Sequence, residues 1–127
     1  MTHEEKLGLI ERYLHAYNTF DTEGMLAVIH PDIVFKNISC GEVNATASGK
    51  DEMRRLAEQS KDLFISRRQT VTHFEANDDQ ASADVAFTGV LAADLPNGMK
   101  KGETLKLTGR SEFRFRDGKI CKITDIS

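Results

Sequence analysis

The stretch Leu105-Lys106-Leu107-Thr108-Gly109-Arg110-Ser111-Glu112-Phe113-Arg114-Phe115-Arg116-Asp117-Gly118 decides the fold. Leu105, Leu107, Gly109, Ser111, Phe113 and Phe115 fall on one side. Lys106, Thr108, Arg110, Glu112, Arg114 and Arg116 fall on the other, which is the period of a strand with one face in the core. Asp117-Gly118 is a tight hairpin turn, so residues 120–126 return as a final strand. Upstream, Val85, Phe87, Gly89 and Leu91 share a face of the preceding strand, and a Pro-, Asn- and Gly-rich connection, 94–103, links the two. Before the turn Asn77-Asp78-Asp79, a period of two runs from Ile65, with Val71, His73 and Glu75 alternating against Thr70, Thr72 and Phe74.

The N-terminal half has the other period. Thr2 and Glu5 make a capping box, and Leu7, Ile10, Tyr13, Leu14 and Tyr17 recur on one helical face. Asp21 or Thr22 opens a short second helix with Met25, Leu26, Val28 and Ile29, which Pro31 stops. Residues 33–38 are β-branched and aromatic enough for a strand, and 41–49 read as a polar loop. A third helix follows over about 50–63, with Met53, Leu56 and Ala57 as its apolar stripe. The expected order is helix, helix, strand, helix, then four strands. Early helices and late antiparallel strands imply an α+β fold with a cavity between helices and a curved sheet.

With 127 residues, the chain has the length of a single domain, 1–127. Its net charge of −3 gives no basic footprint for nucleic acid. No apolar run approaches a membrane span, and the acidic Glu4-Glu5 start does not read as a signal peptide, so a cytoplasmic location is expected. Cys40 and Cys121 form no CxxC pair and are expected as free thiols, buried or half-buried. The sequons Asn37-Ile38-Ser39 and Asn44-Ala45-Thr46 have meaning only in a secreted chain.

The stretches Glu11-Arg12-Tyr13-Leu14-His15-Ala16-Tyr17-Asn18, His30-Pro31-Asp32-Ile33-Val34-Phe35 and Phe113-Arg114-Phe115-Arg116-Asp117-Gly118-Lys119-Ile120 resemble the nuclear transport factor 2-like superfamily. Within it, they resemble the SnoaL-like polyketide cyclase and ketosteroid isomerase-related group. The resemblance covers nearly the whole chain. It implies a cone-shaped α+β barrel, with three N-terminal helices packed on a curved, mainly antiparallel sheet. It also implies a cavity for a small apolar molecule and a homodimer through the outer sheet face. The fold hosts isomerases, cyclases, hydrolases and members without chemistry, so the resemblance does not fix an activity.

Carried over residue by residue, the isomerase constellation needs a carboxylate base, a tyrosine donor and a protonated aspartic acid. Tyr13 falls at the tyrosine position, but Asn37 stands at the base position and Ser111 at the second donor position. Asn37 cannot take up a proton near neutral pH, which argues against steroid isomerisation by that route. The last-strand aspartate that SnoaL-like cyclases use as acid/base resembles Asp125. An epoxide hydrolase-like set would need an aspartate–arginine–aspartate group with tyrosine and asparagine. Tyr13 and Asn37 are available, but the late strands show no inward aspartate and arginine pair.

If Cys121, Ile123 and Asp125 share a face, Asp125 points into the cavity and desolvation raises its pKa toward general acid/base use. The competing expectation is a solvated or arginine-paired carboxylate. Tyr13 would orient a ligand oxygen, or else be a core tyrosine. Tyr17, Phe35, Asn37, Met53, Leu56, His73, Phe87, Ser111 and Phe113 are the expected ligand-binding set. His73 is placed there by its alternation with Val71. His30 is expected at the end of helix two, against free carbonyls, and His15 on the solvated side. The histidines have no metal-ligand spacing, and neither a nucleophile elbow nor a phosphate loop occurs, so neither metal nor cofactor is expected.

Two functions fit. One is a cavity enzyme acting by general acid/base chemistry as an isomerase, cyclase or lyase on a small apolar, carbonyl-bearing or cyclic substrate. The other is a non-catalytic ligand-binding or dimeric association domain, which the uncharged Asn37 and Ser111 favour.

Overall fold

The computed structural model describes residues 1–127, and its first helix, α1 (His3–Asn18), starts where the sequence places its cap. Thr2 Oγ1 accepts from the Glu5 N–H while the Glu5 carboxylate accepts from the Thr2 N–H, so two orphan donors are satisfied reciprocally. Leu9, Ile10, Tyr13 and Leu14 make its buried face. Helix α2 (Thr22–Ala27) is capped by Asp21, which accepts from the Gly24 N–H. It ends before Pro31: Val28 is its C-cap and Ile29 already opens β1 (Ile29–Ser39). Pro31 lies in a stretch of β1 between its pairings at Ile29 and Val34, where no ladder hydrogen bond needs its missing N–H.

The segment read as a polar loop is a strand, β2 (Glu42–Ser48), joined to β1 by Cys40 and Gly41, both at positive φ. This is the left-handed pair of a two-residue hairpin turn. Its polarity reflects its position, since β2 is an edge strand in which only Ala47 is buried. Cys40 is therefore an exposed free thiol, and Cys121 is half-buried and free. Helix α3 (Gly49–Lys61) buries Met53 and Ala57 and stops short of Leu63. Strands β3 (Phe64–Asn77), β4 (Gln80–Leu91), β5 (Thr104–Arg116) and β6 (Lys119–Ile126) follow.

All six strands form one sheet in the order β2-β1-β6-β5-β4-β3. Every neighbouring pair is antiparallel except β1 and β6, which are parallel. The last strand thus inserts between the first strand and β5, which brings the end of the chain to the middle of the sheet. Ile10, Ile29, Ile33, Ile120 and Ile123 are fully buried where the helices meet the sheet. Each contributes about 1.5–3 kcal/mol relative to exposure.

At the free edge of β3, Asn18 replaces a neighbouring strand. Its Nδ2 donates to the Gln69 carbonyl at 3.2 Å and its Oδ1 accepts from the Gln69 N–H at 2.7 Å, tying the end of α1 to an edge that would otherwise offer unpaired groups. No helix is long and apolar enough to cross a membrane.

Candidate active site

Two register irregularities decide which side chains reach the pocket. On β6, Ile120 pairs with Phe115 and Lys122 with Arg114, leaving Cys121 as an extra residue. The bulge lets Ile120 and Ile123 both face the core, with Asp125 next in line on that face. Ile120, and not Cys121, is therefore the inward partner of Ile123. On β3, Val71 pairs with Val85 but His73 pairs with Asp84. Thr72 is the extra residue there, and it turns His73 to the outer face, where the ring is exposed and pairs with Glu75 at 3.2 Å. His73 is not a cavity residue.

Asn37, Asp125 and Ser111 form one lateral row on three adjacent strands, since Asn37 pairs with Asp125 and Asp125 with Ser111. Ser111 Oγ donates to Asp125 Oδ1 at 2.6 Å, a short charge-assisted bond. Burial pushes the Asp125 carboxyl up from 3.8 to about 6, against the smaller downward pull of the Ser111 bond. Asn37 does not bond to Asp125; its Nδ2 donates to Asn44 Oδ1 at 2.7 Å.

The row opens on a pocket of about 590 Å³ between α1, α3 and the sheet. Tyr13, Tyr17, Phe35, Asn37, Met53, Leu56, Phe87, Ser111 and Asp125 all line it, with further apolar wall from Phe64, Leu91, Leu105 and Leu107. Phe113 faces the same way but lies deeper, packed in the core and not on the pocket wall. Burial, and then the charge of Asp125, raise the Tyr13 phenol well above its ordinary range. Tyr13 is thus a neutral donor at all physiological pH values.

Arg67 carries no signal in the sequence, standing in the charged run Ser66-Arg67-Arg68-Gln69. It is only 5% exposed. Its Nε donates to the Tyr17 carbonyl at 2.8 Å, near the C-terminus of α1, and its Nη1 reaches Ser60 Oγ at 3.5 Å. A helix C-terminus favours a cation. Gly89, paired with Arg67 on β4, makes room for the Phe64 and Phe87 rings, which lie 2.7 and 2.9 Å from where a Cβ would stand. A lone strand glycine marks such a close approach. Arg67 is buried but does not line the pocket, and these bonds tie it to α1 and α3 and not to Asp125.

His30 sits at the start of β1 and not at a helix end. Its Nδ1 accepts from the Asp32 N–H at 3.0 Å, and its Nε2 lies 3.4 Å from both Asp117 Oδ2 and Arg116 Nε. It braces the β5–β6 hairpin, far from the pocket row. His15 is exposed, as expected.

Residues 10–123 match the SnoaL-like domain family. Among solved structures, the chain resembles a candidate polyketide cyclase from Xanthomonas campestris pv. campestris at 25% identity, with a TM-score of 0.77 over 98% of this chain and 90% of that one. It resembles IdmH, a candidate polyketide cyclase from Streptomyces antibioticus, at 18% identity and TM-score 0.80, over 98% and 91% of the two chains. A protein of ketosteroid isomerase-like fold from Catenulispora acidiphila, in complex with trimethylamine, is similar at 13% identity and TM-score 0.77, over 92% and 82%. The last two likenesses carry the fold alone. No curated protein is significantly similar to the chain.

Proposed function

The chain belongs to the SnoaL-like domain family, and from that premise we propose that it is a small-molecule cavity enzyme working by general acid/base catalysis. The substrate is a small, mainly apolar molecule that is cyclic or carbonyl-bearing, and the reaction is an isomerisation, cyclisation or elimination. The observation that carries this reading is the half-buried Asp125 carboxyl, which desolvation raises to about 6 and Ser111 holds at the wall of an open pocket. A base with a pKa close to the working pH is ionised enough to accept a proton and acidic enough to return it. Asp125 takes a proton from a carbon next to the substrate carbonyl and returns it elsewhere, while Tyr13 orients the substrate. Phe35, Met53, Leu56 and Phe87 exclude water around the reacting carbon. In the same reading the protein works in the cytoplasm as a homodimer through the outer sheet face, where Lys106, Arg110, Glu112 and Arg114 give a polar interface.

Hydrogen–deuterium exchange tests this without knowledge of the natural substrate. Small cyclic and aromatic ketones incubated with the protein in heavy water exchange their α-hydrogens, and Asp125→Asn abolishes the exchange while keeping the fold. Exchange that persists in Asp125→Asn contradicts the mechanism.

A second reading rests on Asn37, an uncharged residue beside Asp125 in the row and already bonded to Asn44. It makes the pocket a binding module without turnover. Ligands then raise the melting temperature by mass action with no exchange and no product.

A further inference from the structure

Tyr13 and Tyr17 lie one turn apart on α1, and both line the pocket. Their electrostatic surroundings differ. The Arg67 guanidinium lies 3.7 Å from the centre of the Tyr17 ring, and the Phe20 ring covers it from 4.4 Å. No carboxylate forms an ion pair with Arg67, whose bonds go to the Tyr17 carbonyl and the Ser60 hydroxyl. A desolvated cation against a tyrosine ring withdraws electron density and favours negative charge at the hydroxyl. Gln69, which also lines the pocket, acts in the same direction. Burial raises both phenols; at Tyr13 the Asp125 charge adds to it, whereas at Tyr17 the Arg67 guanidinium works against it. An anion held at Tyr13 would lie toward the Asp125 carboxylate, whereas one held at Tyr17 would have the Arg67 guanidinium behind the ring that holds it.

We propose that Tyr17 is the donor that holds the substrate's carbonyl oxygen, that Arg67 positions and polarises it, and that the substrate is an enolisable ketone. The proposal deepens the acid/base reading and rests on it. The C–H bond breaks, its proton passes to the Asp125 carboxylate, and the electron pair moves through the new C=C bond onto the oxygen held by Tyr17. Return of the proton from Asp125 to another carbon restores the carbonyl. Negative charge thereby leaves Asp125 and arrives at the oxygen held by Tyr17, whose ring is backed by the Arg67 guanidinium, so the buried charge has a cation behind it.

Binding of para-nitrophenol, followed by absorbance below the probe's own pKa, tests this independently of turnover. Its phenolate carries the charged oxygen of the enolate, and the two ionisation states absorb at different wavelengths. Wild type is expected to bind the probe and hold it as phenolate. Tyr17→Phe weakens binding by roughly tenfold or more and loses the phenolate band, as expected for a lost bond to a charged oxygen, whereas Tyr13→Phe has the smaller effect. Arg67→Gln loses the band and Arg67→Lys retains it, which a merely structural arginine would not produce. If the Arg67 variants do not fold, Tyr17→Phe decides alone. Absence of phenolate binding by wild type, or an unchanged band in folded Tyr17→Phe, overturns the proposal. Asp125→Asn separates the two readings, because it keeps phenolate binding while losing α-hydrogen exchange. If exchange survives Asp125→Asn, the acid/base reading fails while the Tyr17 result still stands.

Discussion

Ser111 and Asp125 face each other across β5 and β6, with the serine hydroxyl 2.6 Å from a carboxylate that burial has raised to about 6. The serine is the one group that lowers this pKa, so it sets how far burial prevails. Ser111→Ala is expected to move the Asp125 pKa further up. Because the base acts when ionised, activity at neutral pH falls by up to about tenfold, and the limb of the pH–rate profile governed by Asp125 moves to higher pH. Rates across the acidic to neutral range check this.

Asp125 also costs stability. Its folded pKa of about 6 lies above the ordinary value of 3.8, so the folded state binds the proton more tightly than the unfolded state. Its favourable contribution is fully present below about pH 4 and is lost as the pH rises through about 6, amounting to roughly 3 kcal/mol. Asp125→Asn should therefore be more stable than wild type at neutral pH and gain little below about pH 4. Denaturant melts at the two pH values check the sign.

Gly109 lets the last strand close over β5. A Cβ there would stand 2.6 Å from the Ile126 carbonyl oxygen and 3.4 Å from the Ser127 Cβ. Gly109→Ala should destabilise the protein by about 1–3 kcal/mol, as overpacking does. It should also lower activity by displacing the strand end that carries Asp125. Thermal melting together with the exchange assay separates the two effects.

Asn18 stands in for a strand at the edge of β3. Asn18→Ala removes both bonds to Gln69 and should cost about 1–2 kcal/mol. Faster amide exchange at Gln69, read by NMR, localises the loss to that edge.

The period-two pattern around Ser111, the capping box at Thr2 and the Asp117-Gly118 turn were legible because each depends on neighbouring residues alone. The same holds for the inward faces of β4 and β5. The bulges at Thr72 and Cys121 were not legible, since a bulge is set by the partner strand, and that is why His73 changed faces. Strand β2 was hidden because an edge strand with one buried residue reads as a polar loop. Arg67 was hidden because its partners are a helix carbonyl and two aromatic rings from a distant part of the chain. Asp125 was legible as a candidate, and its neighbours Asn37 and Ser111 were named as well, but their alignment in one row required the sheet order.

The most direct test is a carboxyl-carbon NMR titration of Asp125 in the free protein. The account predicts a midpoint near 6 that moves upward in Ser111→Ala. A midpoint in the ordinary aspartate range, unaffected by Ser111→Ala, would contradict a desolvated acid/base at the pocket wall.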